Sequence, residues 1–353
     1  MKNNLLKICY LTIDNTSQPV SLLRIVPYTH IFGVEVKLGC KILRFIKKDN
    51  LITDFELEVD NNVLENCDIV FIQRSFIQES TTNIIEKIIK LKKKIIYDTD
   101  DLLIDLPIKN ESSLSLIHNK SLYFLNIYNS FFDVFTTSND LLTKELSKIF
   151  KNKSIKTIPN LILDDFFPKK IKKKNNNYFK ILISGTQKED QINFLLPTLK
   201  KLIASYKNFL LIFMGLNNKI DIFKDEERVI YISLTNYKDY LFNLQKISPD
   251  LALAPLKKNV FNQYKSNIKF LDYSYFNIPG VYSDISCFAD SIQNYITGIL
   301  CNENQDWGSV ITDIYENKTK RLNIAKAANN EVLNKYLISK NLIYFKNILD
   351  EFK

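Results

Sequence analysis

Residues 249–284 read PDLALAPLKKNVFNQYKSNIKFLDYSYFNIPGVYSD. The runs LALAPL (251–256) and GVYSD (280–284) are short and largely apolar at consecutive positions. A parallel strand covered on both faces reads this way. Between them FNQYKSNIKFLDY (261–273) is expected to open a helix, with Lys265, Lys269 and Asp272 on one face and Phe270 and Leu271 turned inward. Strand, helix and strand in that order make a βαβ unit and imply a parallel sheet.

The same alternation extends in both directions. Upstream come ICYLTI (8–13), ILRFI (42–46), IVFIQ (69–73), IIYD (95–98), VFTTS (134–138) and IKTIP (155–159). The later set is KILISG (180–185), LLIFMG (210–215), VIYIS (229–233), the two runs above and GILC (298–301). Helical spacing appears at 81–92, 194–206 and 317–336. The expected fold class is α/β, with two Rossmann-like, doubly wound domains. The first covers 1–167 and the second 178–336. The stretch PKKIKKKNNN (168–177) has no apolar periodicity and reads as a solvated linker, with a basic anchor as the alternative. A last helix over 337–353 has apolar residues to bury and no strand after it, so it is expected to cross back to the first domain.

Composition narrows the classes. The 353 residues suggest two domains at about 100–200 residues each. Only 7 glycines exclude collagen-like chains and Gly-rich phosphate cradles, and 2 histidines exclude a multi-histidine metal centre. Cys9, Cys40, Cys67, Cys287 and Cys301 form no CxxC pair, which fits buried thiols in a reducing cytosol. No signal peptide and no apolar run of about 18 residues is found, so a cytoplasmic location is expected. A net charge of +9 favours anionic partners. Nucleic acid is not expected, because no recognition module accompanies the lysines.

In open parallel sheets ligands bind beyond the carboxyl ends of the strands. Lys265 and Lys269 beside helix N-terminal amides, with Asp272 further along, make a cradle for a nucleoside diphosphate and its ribose. A salt-bridged solvent face is the plainer alternative.

The segment from Pro249 to Asn317 resembles the C-terminal signature of family-4-type, GT-B-fold glycosyltransferases. Asp250, Pro255, Phe261, Lys265, Ser266, Lys269, Asp272, Tyr273, Pro279, Ser283, Asp284, Gly298 and Trp307 stand in the family's order and spacing. FKILISGTQKED resembles the opening βα unit of its nucleotide-binding domain, with a turn at Ser184, Gly185 and Thr186. KIIYDTDDLL, FTTSNDLLTKEL, IKTIPNLI and SLLRIVPYTHIF are similar to its N-terminal landmarks.

The resemblance implies a metal-independent, retaining transferase with no cofactor. Its donor is a nucleotide-sugar and its acceptor a glycan or lipid-linked sugar in surface polysaccharide or lipopolysaccharide synthesis. It works at the inner face of the cytoplasmic membrane, and lysines at 169–174 add attraction to an anionic membrane surface. It places the donor against Ser184, Gly185, Thr186, Lys265, Ser266, Lys269 and Asp272. The two lysines neutralise the departing diphosphate. Two departures stand out: Tyr264 replaces an acid common in the family, and the turn at Gly185 has a single glycine. The first leaves a non-catalytic sugar- or partner-binding protein as the alternative.

On the acceptor side, Asp98, Asp100 and Asp101 follow the strand IIYD. Such a trio suits a divalent cation or the orientation of an acceptor hydroxyl. The GT-B resemblance favours the second, with Asp101 as a catalytic candidate and no metal. Arg24 and His118 are the remaining acceptor-side candidates; His30 is a weaker one.

Overall fold

The computed structural model describes residues 5–48, 51–102, 113–164, 177–185, 192–216 and 219–352, with backbone alone at 48, 51 and 113–120. The chain divides into two compact units. One comprises Met1–Asn160, Tyr264–Ser266 and Asn341–Lys353; the other comprises Leu161–Gln263 and Asn267–Lys340.

The first unit holds β1 (Leu6–Leu11), β2 (Val34–Leu38), β3 (Cys40–Lys48), β4 (Leu51–Val59), β5 (Ile69–Gln73), β6 (Lys94–Thr99), β7 (Val134–Thr137) and β8 (Ser154–Thr157). Six of these form a parallel sheet in the order β2-β1-β5-β6-β7-β8. Every residue of β5 is buried, as its uninterrupted apolar sequence demands. Helices flank the sheet: Pro19–Thr29, Thr82–Lys90, Ser113–Tyr128 and Asp140–Ile149. Asn139 starts the last of these by accepting from the Leu142 amide at 2.8 Å. The helix Ile343–Asp350 lies in this unit, where Phe345 meets Tyr28 edge-on with ring centroids 5.1 Å apart.

The run ILRFI is not part of the parallel sheet. It lies in β3, which pairs antiparallel with β4. Charged partners on one face, Lys41 opposite Glu58 and Arg44 opposite Glu56, suit a strand with a wet side. The sixth parallel strand is VEVKL, β2 at the sheet edge, where alternating charge hid it among loop sequence.

The second unit contains β9 (Phe179–Ser184), β10 (Phe209–Met214), β11 (Val229–Ile232), β12 (Leu251–Ala254), β13 (Gly280–Ser283) and β14 (Ile299–Cys301). All pair in parallel, in the order β11-β10-β9-β12-β13-β14. This is the strand order of a dinucleotide-binding fold, and it reverses between β9 and β12. Its core gathers Ile181, Phe213, Leu253, Val281 and Trp307. Asn236 and Asn317 cap helices Tyr237–Ile247 and Lys318–Lys335. All five cysteines are buried, and none forms a disulfide.

Candidate functional site

The reversal point of the second sheet places the carboxyl ends of β9 and β12 side by side. Ser184 ends β9 and Gly185 follows it with φ +130°. Gly215 occupies the matching position after β10 with φ +101°, and its amide donates to the Ile232 carbonyl. A Cβ on Gly215 would stand 2.8 Å from the Gly185 carbonyl oxygen. The two turns therefore approach closely only because this position lacks a side chain.

Lys269 reaches this strand end from helix Ile268–Tyr275. Its Nζ donates to Ser184 Oγ and to the Tyr240 hydroxyl, both at 3.1 Å, and sits 4.5 Å above the Tyr240 ring. Ser184 Oγ also lies 2.8 Å from the Tyr273 hydroxyl and 3.1 Å from that of Tyr240. An ammonium is thus held by two hydroxyls at the mouth of the sheet, one of which also pairs with Tyr273. Asp272 is 1% exposed and accepts from the Tyr237 hydroxyl at 2.7 Å. Burial raises its pKa to about 6, against the opposing pull of Lys269 and the hydroxyls of Tyr237 and Tyr240. Burial and the Asp272 charge hold both tyrosines firmly protonated.

The helix expected over 261–273 is broken. Val260–Gln263 and Ile268–Tyr275 are separate helices, and 264–267 lie between them. Asparagine side chains explain the break: Asn262 donates to the Lys257 carbonyl, and Asn267 to Ser291 Oγ, both at 2.8 Å. Lys265 and Lys269 therefore do not share a helical face. Tyr264, Lys265 and Ser266 group with the first unit, where the Asn139 amide donates to the carbonyls of Tyr264 (3.0 Å) and Lys265 (3.3 Å). The Tyr264 hydroxyl donates to Glu145 Oε2 at 3.0 Å. Thr186 and the lysines at 169–174 lie outside the described residues.

The first sheet reverses between β1 and β5. Gln73, at the end of β5, takes hydrogen bonds from Tyr10, Thr12 and Ser21 and donates to the Val20 carbonyl at 2.6 Å, locking the two strand ends to the first helix. The next residue, Arg74, adopts φ +46°. Its guanidinium lies 3.1 Å from Asp101, 3.5 Å from Asp100 and 3.8 Å from Asp14. Burial raises the Asp100 pKa to about 7; Asp101 and Asp98 push it further up, while Arg74 and Arg24 oppose.

Arg24 and Asp98 sit behind this group in the core. Arg24 is 1% exposed, with Nη2 at 2.6 Å from Asp98 Oδ1. It also donates to the carbonyls of Ile158 and Thr137. Thr136 supplies a further donor to Asp98 at 2.7 Å. The pair clamps the first helix to β6 and β7, and neither residue faces solvent. His118 lies on helix Ser113–Tyr128, and its side chain is outside the described residues. Among the described residues no group of acids, histidines or cysteines is arranged to hold a metal ion. No helix among them is long and apolar enough to cross a membrane.

Sequence reasoning missed Tyr237, Tyr240, Asp14 and Arg74. Arg74 directly follows the strand IVFIQ, so the rule that drew attention to 98–101 also points to it.

No protein-family model matches the sequence, and no curated protein matches it. Solved structures do match in fold. HepE from Anabaena, in complex with UDP and glucose, aligns over 98% of this chain and 99% of its own, with a TM-score of 0.65 and 13% identity. The fold is that of the GT-B glycosyltransferases. Sucrose-phosphate synthase from Thermosynechococcus elongatus gives 0.62 at 8% identity, over 98% of each chain. S. aureus TarM, in a complex with UDP, gives 0.59 at 12% identity over 79% of this chain. The present chain spans 54% of TarM's length.

Proposed function

We propose that the protein is a glycosyltransferase that moves a sugar from a nucleoside-diphosphate donor to a glycan or lipid-linked acceptor. The observation that carries this reading is Lys269, held by Ser184 and Tyr240 at the reversal point of the second sheet. A diphosphate at this strand end meets an ammonium, hydroxyl donors and the closely approaching turn at Gly185. Such preorganised donors act on the charge that develops as the sugar leaves. Asp272, on the helix Ile268–Tyr275 that carries Lys269, is the candidate ribose contact.

Uridine is the favoured base, since UDP is bound by HepE and TarM. On the acceptor side, Asp100 and Asp101 orient the reacting hydroxyl, while Arg24 and Asp98 hold the strands that carry them. Retention of configuration, independence of metal and work at an anionic membrane surface in envelope glycan synthesis belong to the same reading.

The test is thermal shift with UDP, GDP, dTDP and CMP, followed by transfer from the matching radiolabelled nucleotide-sugar with and without EDTA. At 100 times its dissociation constant a ligand adds about 2.7 kcal/mol of stability, a readily visible shift. No shift with any nucleotide sinks the proposal. Nucleotide binding without transfer or donor hydrolysis supports the non-catalytic alternative, which Tyr264 in place of an acid favours.

A further inference from the structure

All strands of the first six-stranded sheet run parallel, so the loops that lead into them gather at one end, opposite Asp100 and Asp101. Phe32, in the turn before β2, is 93% exposed. The turn is firmly held. Ile31 is buried, the Val34 amide donates to its carbonyl at 3.1 Å, and the Leu6 amide donates to the Gly33 carbonyl at 2.8 Å. The backbone thus fixes the ring in water. Before β7, Ile127 and Phe131 are 49% and 52% exposed; Leu91 before β6 and Ile149 before β8 are exposed as well. Single exposed apolar residues are ordinary, but a group gathered on one face marks an interaction surface.

The charge at this end is the second observation. Lys93 donates to the carbonyls of Glu65 and Cys67, Lys153 to those of Ser130 and Phe132, and Lys94 pairs with Asp133. These three lysines serve the fold. The side chains of Lys90, Lys92 and Lys151 are exposed and have no hydrogen-bond or ionic partner among the described residues. The acids beside the strand starts are already satisfied: Glu65 by Lys87, Asp68 by the Lys7 amide and Asp133 by Lys94. The charge left without a partner is therefore positive. A protein partner requires a contiguous, closely packed patch. Here the apolar side chains are spread from β2 to β8, five inter-strand spacings or about 24 Å, with lysines among them. A lipid surface takes separated apolar side chains and lysines without requiring them to pack together.

We propose that the amino end of the first sheet docks on an anionic lipid surface, with Phe32, Ile127 and Phe131 among the headgroups and Lys90, Lys92 and Lys151 against lipid phosphates. Docking in this way turns the carboxyl ends of the strands away from the bilayer. Asp100 and Asp101 follow the far end of β6, six residues or about 20 Å from its start. An acceptor held there is the outer end of a lipid-linked glycan several sugars long, and not the sugar next to the lipid. Only this statement about the acceptor rests on the glycosyltransferase reading; the docking face stands without it.

The experiment is co-sedimentation of the full chain with vesicles of phosphatidylcholine alone and of phosphatidylcholine mixed with phosphatidylglycerol. Binding to the mixed vesicles is expected to be the stronger and to weaken with added salt. Lys92→Gln combined with Lys151→Gln should weaken it about twenty-fold, and Phe32→Ser about ten-fold. Equal binding to both vesicles, or unchanged binding in both variants, overturns the proposal. So does binding that is lost on neutralising the lysines at 169–174 and kept in the Lys92 and Lys151 variant. Absence of vesicle binding together with self-association that Phe32→Ser abolishes assigns the face to a second copy and also overturns it. Orientation is read with an environment-sensitive fluorophore on Phe32→Cys or on Thr16→Cys in the loop after β1, the native cysteines being buried. The Phe32 probe should shift to the blue on mixed vesicles and the Thr16 probe should not; an equal shift overturns the orientation. UDP thermal shift is run in parallel. Vesicle binding without a UDP shift removes the transferase reading and leaves the docking face, whereas a UDP shift without vesicle binding removes the docking face alone.

Discussion

The Tyr237 hydroxyl and the Asp272 carboxylate meet at 2.7 Å inside the second unit, 35 residues apart in sequence. The pairing joins the helix after β11 to the helix that carries Lys269. It also keeps a carboxylate out of water at a pH where it is ionised.

That burial makes stability depend on pH. The Asp272 pKa rises from an ordinary 3.8 to about 6, so the folded chain keeps its proton where the unfolded chain has lost it. The stabilisation is complete below about pH 4 and is lost as pH rises through about 6. Two pKa units correspond to roughly 3 kcal/mol. Asp100, raised to about 7, extends the decline to neutral pH. Urea unfolding of wild type, Asp272→Asn and Asp100→Asn between pH 4.5 and 7.5 checks this. Each variant should flatten part of the slope, and a slope identical to wild type in both rejects the assignment.

Lys269→Ala should weaken UDP binding about ten- to a hundred-fold, since a hydrogen bond to a charged group contributes about 1.5–3 kcal/mol. Tyr240→Phe should cost less, about 0.5–1.5 kcal/mol, because one neutral donor is removed. Melting temperatures without ligand should move little. Calorimetric titration with UDP decides it, and unchanged affinity in Lys269→Ala removes the lysine from the donor site.

Gly215→Ala tests the paired turns. The new Cβ meets the Gly185 carbonyl oxygen at 2.8 Å and must adopt a left-handed φ of +101°. The strain should cost about 1–3 kcal/mol and displace the turn beyond Ser184. Reduced UDP affinity together with a lowered Tm is the expected outcome. A variant with wild-type values for both would show that the turns do not need to touch.

Arg24 and Asp98 are predicted to be structural in effect. Removing one partner of a buried, hydrogen-bonded ion pair costs about 3–5 kcal/mol. Arg24→Leu and Asp98→Ala should both be severely destabilised in urea unfolding. Arg24→Lys should rescue little, because an ammonium cannot span the Asp98 carboxylate and two carbonyls in the guanidinium's fork. A loss under 1 kcal/mol in Asp98→Ala would contradict the clamp.

Both sheets were legible because buried parallel strands need continuous apolar runs, and IVFIQ and LALAPL supply them. VEVKL escaped because an edge strand tolerates charge, and ILRFI was misplaced because run length does not report strand direction. Lys269 at a strand end was readable from charge and position. Its tyrosine partner was not: Tyr240 lies 29 residues from it, and the sequence does not say whether a tyrosine's hydroxyl is used. The helix break at 264–267 depends on asparagine side chains that find backbone and serine partners only after folding.

The contact between Tyr28 and Phe345 sets an order of events during synthesis. Tyr28 lies in the first helix of the chain and Phe345 in the last, more than three hundred residues later. A ribosome adding about 5–20 residues per second exposes the first helix well before the residue that covers it. The second unit needs nothing beyond Lys340. The half of the protein that emerges first is therefore the half that finishes last, with Tyr28 and its neighbours uncovered in the meantime and open to chaperones.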